Sequence, residues 1–160
     1  GARPTLDGLS ATAFPSGVWG SQVETTEAAA PVLVHRRELR CDSGGAGEFR
    51  GGLGQRLELS SAIDEEIMLF LSVERVNTPA KGRRGGKDGA KGRIRLREGG
   101  DDLPSQGEFR IAPGDTLIFE TPGGGGFGVP QARSRTALQR DIAAGHVSVD
   151  AAKSCYGAKP

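Results

Sequence analysis

Two glycine-dense runs, residues 42–54 and 121–128, interrupt this chain between short apolar segments and restrict its fold more than any other feature. Glycine held in a helix or strand interior loses more conformational freedom than any other residue and packs no side chain, so neither run suits a regular element. Each is expected to be an ordered loop, its backbone approached closely by another segment, because contacts must offset that entropy loss. The remaining glycines also cluster between apolar runs and follow no period. With 26 Gly and 9 Pro in 160 residues, that clustering makes collagen and wholesale disorder poor fits.

Around the glycine runs the hydrophobic pattern is that of strands, in alternation or in short continuous runs. Six segments show it: Val32-Leu33-Val34, Arg56-Leu57-Glu58-Leu59, Ile67-Met68-Leu69-Phe70-Leu71, Ile94 and Leu96 between arginines, Phe109 and Ile111, and Leu117-Ile118-Phe119. The third is continuously apolar and reads as buried on both faces. After Pro130 the period becomes helical through Ala137, Leu138 and Ile142, with Gly145 as a stop; Ser148 then caps a second helix ending near Gly157. These helices are expected to pack on the end of the sheet or on the rest of a longer protein. The predicted fold is mainly β, a sandwich or barrel-like β-domain with one or two short C-terminal helices. Residues 1–30 form an irregular lead-in with turn signals at Arg3-Pro4, Asp7-Gly8 and Pro15-Ser16-Gly17, residues 31–130 the β-domain, and residues 131–160 a helical extension.

The 21 basic and 20 acidic residues nearly cancel, leaving no global field to steer nucleic acid or an anionic membrane. Locally, Lys81, Arg83, Arg84, Lys87, Lys91, Arg93, Arg95 and Arg97 share their stretch with a single acid, Asp88. That run contains no aromatic residue for base stacking, which disfavours nucleic acid and leaves a solvated loop, a partner contact or an anion site. Cys41 and Cys155 form no disulfide framework, and with His35 and His146 they match no zinc spacing, so no metal ligand is assigned and a cytoplasmic setting is expected. No stretch approaches a membrane span, and the first residue is Gly1, which suggests a piece of a longer protein.

Tests for chemistry along the chain return little. A dinucleotide fingerprint fails because Arg50 stands where its third glycine belongs, and a phosphate loop at Gly86-Lys87 fails because Asp88 replaces the hydroxyl residue. Ser10, Ser43 and Ser154 lie in no nucleophile elbow. Glu24, Glu27 and Asp42 are the weak catalytic candidates, since each lies near a turn or strand end. The plainer reading pairs such acids with arginine; an Asp42–Arg50 pair would lock the first glycine loop, whereas a free Asp42 facing a cleft would be available to a ligand.

In order along the chain stand Gly1-Ala2-Arg3-Pro4 with Asp7-Gly8, Val23-Glu24 with Glu27, the block from Arg37-Glu38-Leu39-Arg40 through Gly54-Gln55, and Pro113-Gly114-Asp115 through Gly128. This text resembles the hydantoinase B/5-oxoprolinase family, which includes the large subunits of ketone carboxylases; Cys41 and Val129 depart from its usual proline and aspartate. The resemblance implies the C-terminal part of a B-type catalytic subunit in an ATP-dependent cyclic-amide hydrolase. Its partners would be a hydantoinase A-like ATP-binding subunit or domain and the remainder of the B-type subunit. ATP and a divalent metal would bind elsewhere in that complex, none on this fragment, and the isolated fragment is expected to be inactive. Asp42, Gly44, Gly45, Arg50, Gly51 and Gly52 in one loop, with Gly123, Gly124, Gly125 and Gly126 in the other, would shape the substrate site or a subunit interface. A ketone carboxylase subunit and a non-catalytic assembly module remain the alternatives.

Overall fold

A computed structural model describes residues 1–12 and 20–157, so the turn signal at Pro15-Ser16-Gly17 lies outside the described residues. Six strands follow in chain order: β1 (Val32–Leu39), β2 (Gln55–Ser61), β3 (Ile67–Ser72), β4 (Arg93–Leu96), β5 (Gln106–Ile111) and β6 (Thr116–Glu120). The helices are α1 (Val23–Ala29), α2 (Arg135–Ala143) and α3 (Val149–Tyr156), with a single 3-10 turn at Pro130–Ala132. The fold is therefore mainly β, and each of the six predicted segments forms a strand.

Antiparallel pairing builds a four-stranded sheet in the order β1-β2-β6-β4 and a separate two-stranded sheet of β3 and β5; among the described residues no barrel closes. Register explains how the two sheets meet. Leu59 opposes Leu117, which opposes Leu96, while Ile94 opposes Phe119, so these side chains share one face. Ile67 opposes Ile111 in the smaller sheet. Ile94 and Ile111 are fully buried and join Ile67 and Leu117 in a core between the sheets. Burial of such aliphatic side chains contributes roughly 1.5–3 kcal/mol each. The other face of the larger sheet is charged: Arg56 pairs with Glu58 at 2.6 Å, Arg56 with Glu120 at 3.5 Å, and Arg40 with Glu120 at 3.8 Å.

Three expectations are corrected. The run Ile67-Met68-Leu69-Phe70-Leu71 is not buried on both faces: Met68 is 54% and Phe70 71% exposed. A two-stranded sheet covered on one side must send alternate residues outward whatever their polarity. Residues 23–29, read as irregular, form α1, whose residues Val-Glu-Thr-Thr-Glu-Ala-Ala bury nothing and so show no apolar helical stripe. The C-terminal helices, expected on the end of the sheet or beyond this chain, pack on the first glycine loop. Leu138, Val147, Ala152 and Tyr156 form a second core with Ala46 of that loop. Their boundaries follow local rules: Ser134 accepts from the Ala137 N–H, Ser148 accepts from the Ala151 N–H, and Gly157 ends α3 at φ +68°.

Candidate functional site

The two glycine runs meet between the two cores, and they do so backbone against backbone. The Gly45 N–H donates to the Gly124 carbonyl at 2.8 Å, and the Gly124 N–H donates to Gly52 at 2.9 Å. A third segment closes the other side: Gly126 donates to the Lys87 carbonyl at 2.9 Å, Lys87 to Ala46 at 2.7 Å, and Ala90 to Ser43 at 2.8 Å. The chain start joins as well, through Ala2 to Gly125 at 2.9 Å and Gly8 to Arg50 at 2.8 Å. Ser43, 2% exposed, staples the first loop by donating to the Arg40 carbonyl at 2.6 Å and accepting from the Gly54 N–H at 3.0 Å.

Close approach, and not left-handed backbone, is what requires glycine here. None of the loop glycines between 44 and 54, nor any between 123 and 126, has positive φ. A Cβ on Gly51 would overlap the Gly124 carbonyl oxygen and stand 2.6 Å from its carbon, and one on Gly123 would overlap the Ser43 carbonyl oxygen. Such contacts leave no room even for alanine.

Behind this lattice lies a buried ion cluster. Arg133 donates to both Asp7 oxygens at 2.8 and 2.7 Å, to Asp141 at 2.7 Å and to the Glu48 carbonyl at 2.9 Å. Arg50 lies 3.3 Å from Asp141 and donates to the Gly51 carbonyl at 2.8 Å. Burial pushes the Asp7 carboxyl up, but the Arg133 and Arg50 hydrogen bonds to it outweigh that effect and hold it below the ordinary carboxylate range. Burial raises the neighbouring Tyr156 phenol to about 12. The cluster thus ties the chain start, the first glycine loop and α2 into one fixed unit.

Two open clefts flank these features. One of about 480 Å3 runs along the lattice past Gly52, Gly54, Gln55, Arg75, Thr121 and Pro122. The other, of about 270 Å3, opens over Asp7, Arg50, Arg133, Asp141 and His146. Among the described residues, no three His, Cys, Asp or Glu side chains are grouped so as to hold a metal ion. No helix among them is long and apolar enough to cross a membrane.

The profile of the Hydantoinase B/oxoprolinase family matches residues 1–130. The chain belongs to this family. It is 37% identical to the caprolactamase subunit beta of Pseudomonas jessenii over 98% of this chain and 29% of that protein. It is 33% identical to 5-oxoprolinase 1 of Arabidopsis thaliana over 80% of this chain and 10% of that one. The crystal structure of the ATP-dependent caprolactamase from Pseudomonas jessenii superposes with a TM-score of 0.82 at 32% identity, over 98% of this chain and 29% of that one. Nucleotide-free acetone carboxylase shares the fold at a TM-score of 0.70 and 24% identity, over 98% of this chain and 26% of that one. The chain therefore spans less than a third of the length of these relatives.

In this hydantoinase B-type chain the three carboxylates singled out from sequence stay apart. Glu24 is exposed on α1. Glu27 accepts from the Val34 N–H at 2.8 Å and ties α1 to β1. Asp42, at φ +60°, accepts from the Ser148 N–H at 2.8 Å and so braces the start of α3. The pair Asp42–Arg50 does not form, because the partner of Arg50 is Asp141. Sequence reasoning passed over Asp7, Arg133 and Asp141 as a group. One signal was present: Asp141 falls three residues after Leu138, on the buried face of α2, where an acid requires a partner.

Proposed function

We propose that this chain is the C-terminal part of the B-type subunit of an ATP-dependent cyclic-amide hydrolase, and that its glycine lattice forms a rigid wall of the substrate site or of a subunit interface. The observation that carries the reading is the lattice itself. Four stretches of backbone are locked together beside an open cleft of about 480 Å3, in a chain 37% identical to a caprolactamase β subunit. A wall made of backbone is fixed before a ligand or partner arrives, so little ordering cost remains at binding.

In this reading a hydantoinase A-like partner binds ATP with its divalent cation and phosphorylates the amide oxygen, turning it into a group that can leave. On the B-type subunit water then adds to the activated carbon, the C–N bond breaks as the ring nitrogen takes a proton, and hydrolysis of the acyl phosphate so formed releases phosphate. This chain supplies shape; Glu27 and Asp42 act as structural acceptors. The complex works in the cytoplasm, a setting that suits the free thiols of Cys41 and Cys155.

The test uses the complete parent subunit with its ATP-binding partner. ADP release should require a cyclic amide, with 5-oxoproline, hydantoin and caprolactam as probes, and should accompany ring-opened product. ADP release stimulated instead by acetone and bicarbonate would move the protein to the carboxylase branch and overturn the proposal.

A further inference from the structure

Arg40 directly follows β1 and stands behind the larger cleft without lining it. Its N–H donates to the Gly54 carbonyl at 2.9 Å, and its carbonyl accepts from the Ser43 hydroxyl at 2.6 Å. Its guanidinium Nη1 donates to the Thr121 carbonyl at 2.6 Å and to the Lys91 carbonyl at 3.0 Å. Gly54 and Thr121 both line the cleft of about 480 Å3. Arg40 therefore holds the end of the first glycine loop through its backbone and the start of the second through its side chain. Every one of these bonds is made within the chain.

The bridge calls for arginine. The Thr121 and Lys91 carbonyls come from separate segments, carry like partial charges and converge on one nitrogen; no other side chain among the described residues donates to either. A guanidinium carries two N–H groups on that nitrogen in a fixed plane and so serves both oxygens. The Arg40 side chain is 14% exposed, with Glu120 at 3.8 Å as its counter-ion. Burial draws its pKa down; Glu120 opposes that shift, and Arg93, Arg95 and Arg56 reinforce it. Arginine keeps its proton in such surroundings, whereas lysine gives its proton up much more readily. Arg95, on the same face of the sheet and 7% exposed, offers a contrast. Its partners are the carboxylates of Glu98 at 2.9 Å and Glu120 at 4.0 Å, not the cleft wall.

We propose that Arg40 is a positioning residue for the cyclic-amide reaction: by bridging Thr121 and Lys91 while bonding Gly54, it sets the spacing of the two glycine loops along the cleft and so the fit of the substrate. The proposal rests on the reading of that cleft as the substrate site. Misplacing a positioning wall by about 1 Å is enough to cost on the order of a hundredfold in rate.

The experiment uses the complete parent subunit with its ATP-binding partner and follows ADP release with 5-oxoproline, hydantoin or caprolactam, below the melting transition of every variant. Arg40→Gln should raise KM for the cyclic amide about tenfold, while KM for ATP, held by the partner, stays within about twofold. Arg40→Lys should raise the amide KM less at pH about 6 and approach the glutamine variant by pH about 9, as the lysine loses its proton. A purely structural role would not produce that pH profile. Arg95→Gln should lower the melting temperature and leave the amide KM unchanged. Equal rises in Arg40→Gln and Arg95→Gln, or amide and ATP KM rising together, would show general loosening and overturn the proposal. If Arg40→Gln does not fold, an unchanged, pH-independent amide KM in Arg40→Lys would overturn it as well. Hydrogen exchange separates this proposal from the hydrolase reading: the Gly123 and Gly124 amides should exchange faster in Arg40→Gln than in Arg95→Gln. That acceleration in a complex whose ADP release ignores every cyclic amide would defeat the hydrolase reading and leave Arg40 holding the wall. Unaltered exchange alongside amide-dependent ADP release would defeat the role of Arg40 alone.

Discussion

Asp141 and Asp7 show how single carboxylates organise this chain. Asp141 is 6% exposed and answers two arginines, Arg50 and Arg133, that are themselves 5% and 7% exposed. Burying those cations without it would leave uncompensated charge, which proteins tolerate poorly. Asp7 completes the set from the chain start, and its proton equilibrium makes the contribution measurable. Because its folded-state pKa lies below the ordinary value of about 3.9, its stabilisation is complete above the unfolded value and is lost as pH falls through the folded one. Replacing Asp7 with Asn is therefore expected to lower the melting temperature at pH 7. The difference from the parent chain should shrink as pH falls below about 4, which thermal denaturation across pH would read directly. A pH-independent difference would mean that the carboxylate charge at Asp7 contributes nothing.

At the scale of elements, β3 and the C-terminal helices behave in opposite ways. The boundaries of α2 and α3 follow from Ser134, Ser148 and Gly157, because a cap acts within one turn and depends on nothing distant. β3 is five apolar residues and a serine, yet only alternate side chains enter the core. Ile67 is 8% exposed and Phe70 71%. Two substitutions should separate these environments in denaturant unfolding. Replacing Phe70 with Ser is expected to change stability by no more than about 0.5 kcal/mol, as at an ordinary surface position. Replacing the fully buried Ile111, which sits opposite Ile67, with Ala should cost about 2–5 kcal/mol. Comparable losses at both positions would show that Phe70 is covered.

Across the whole molecule, two apolar cores are joined by a glycine-rich layer in which backbone packs directly on backbone. The sheet core lies on one side, the helix core with Ala46 and Tyr156 on the other, and the hydrogen-bonded glycine segments run between them. If that layer is structural, the Gly45, Gly51, Gly124 and Gly126 amides should exchange with solvent as slowly as those of β2 and β6, although none belongs to a strand. Replacing Gly51 with Ala should cost about 3 kcal/mol through backbone displacement. Replacing Gly20, whose added Cβ would meet, among the described residues, the far end of the Arg37 side chain and no backbone, should cost no more than about 0.5 kcal/mol. Fast exchange together with a neutral Gly51 variant would reduce the layer to a linker. Much of this architecture was legible beforehand. Alternation or short apolar runs marked the six strands, and serine and glycine marked the helix ends, because those signals act between residues a few positions apart. The density of glycine announced close backbone approach but could not say to what. Only the tertiary structure decided which face of β3 is covered, that Asp42 serves Ser148 and not Arg50, and that Asp7 reaches Arg133 across 126 positions of sequence. Pairing and burial are properties of segments brought together from far apart, and no local period or cap records which segments those are.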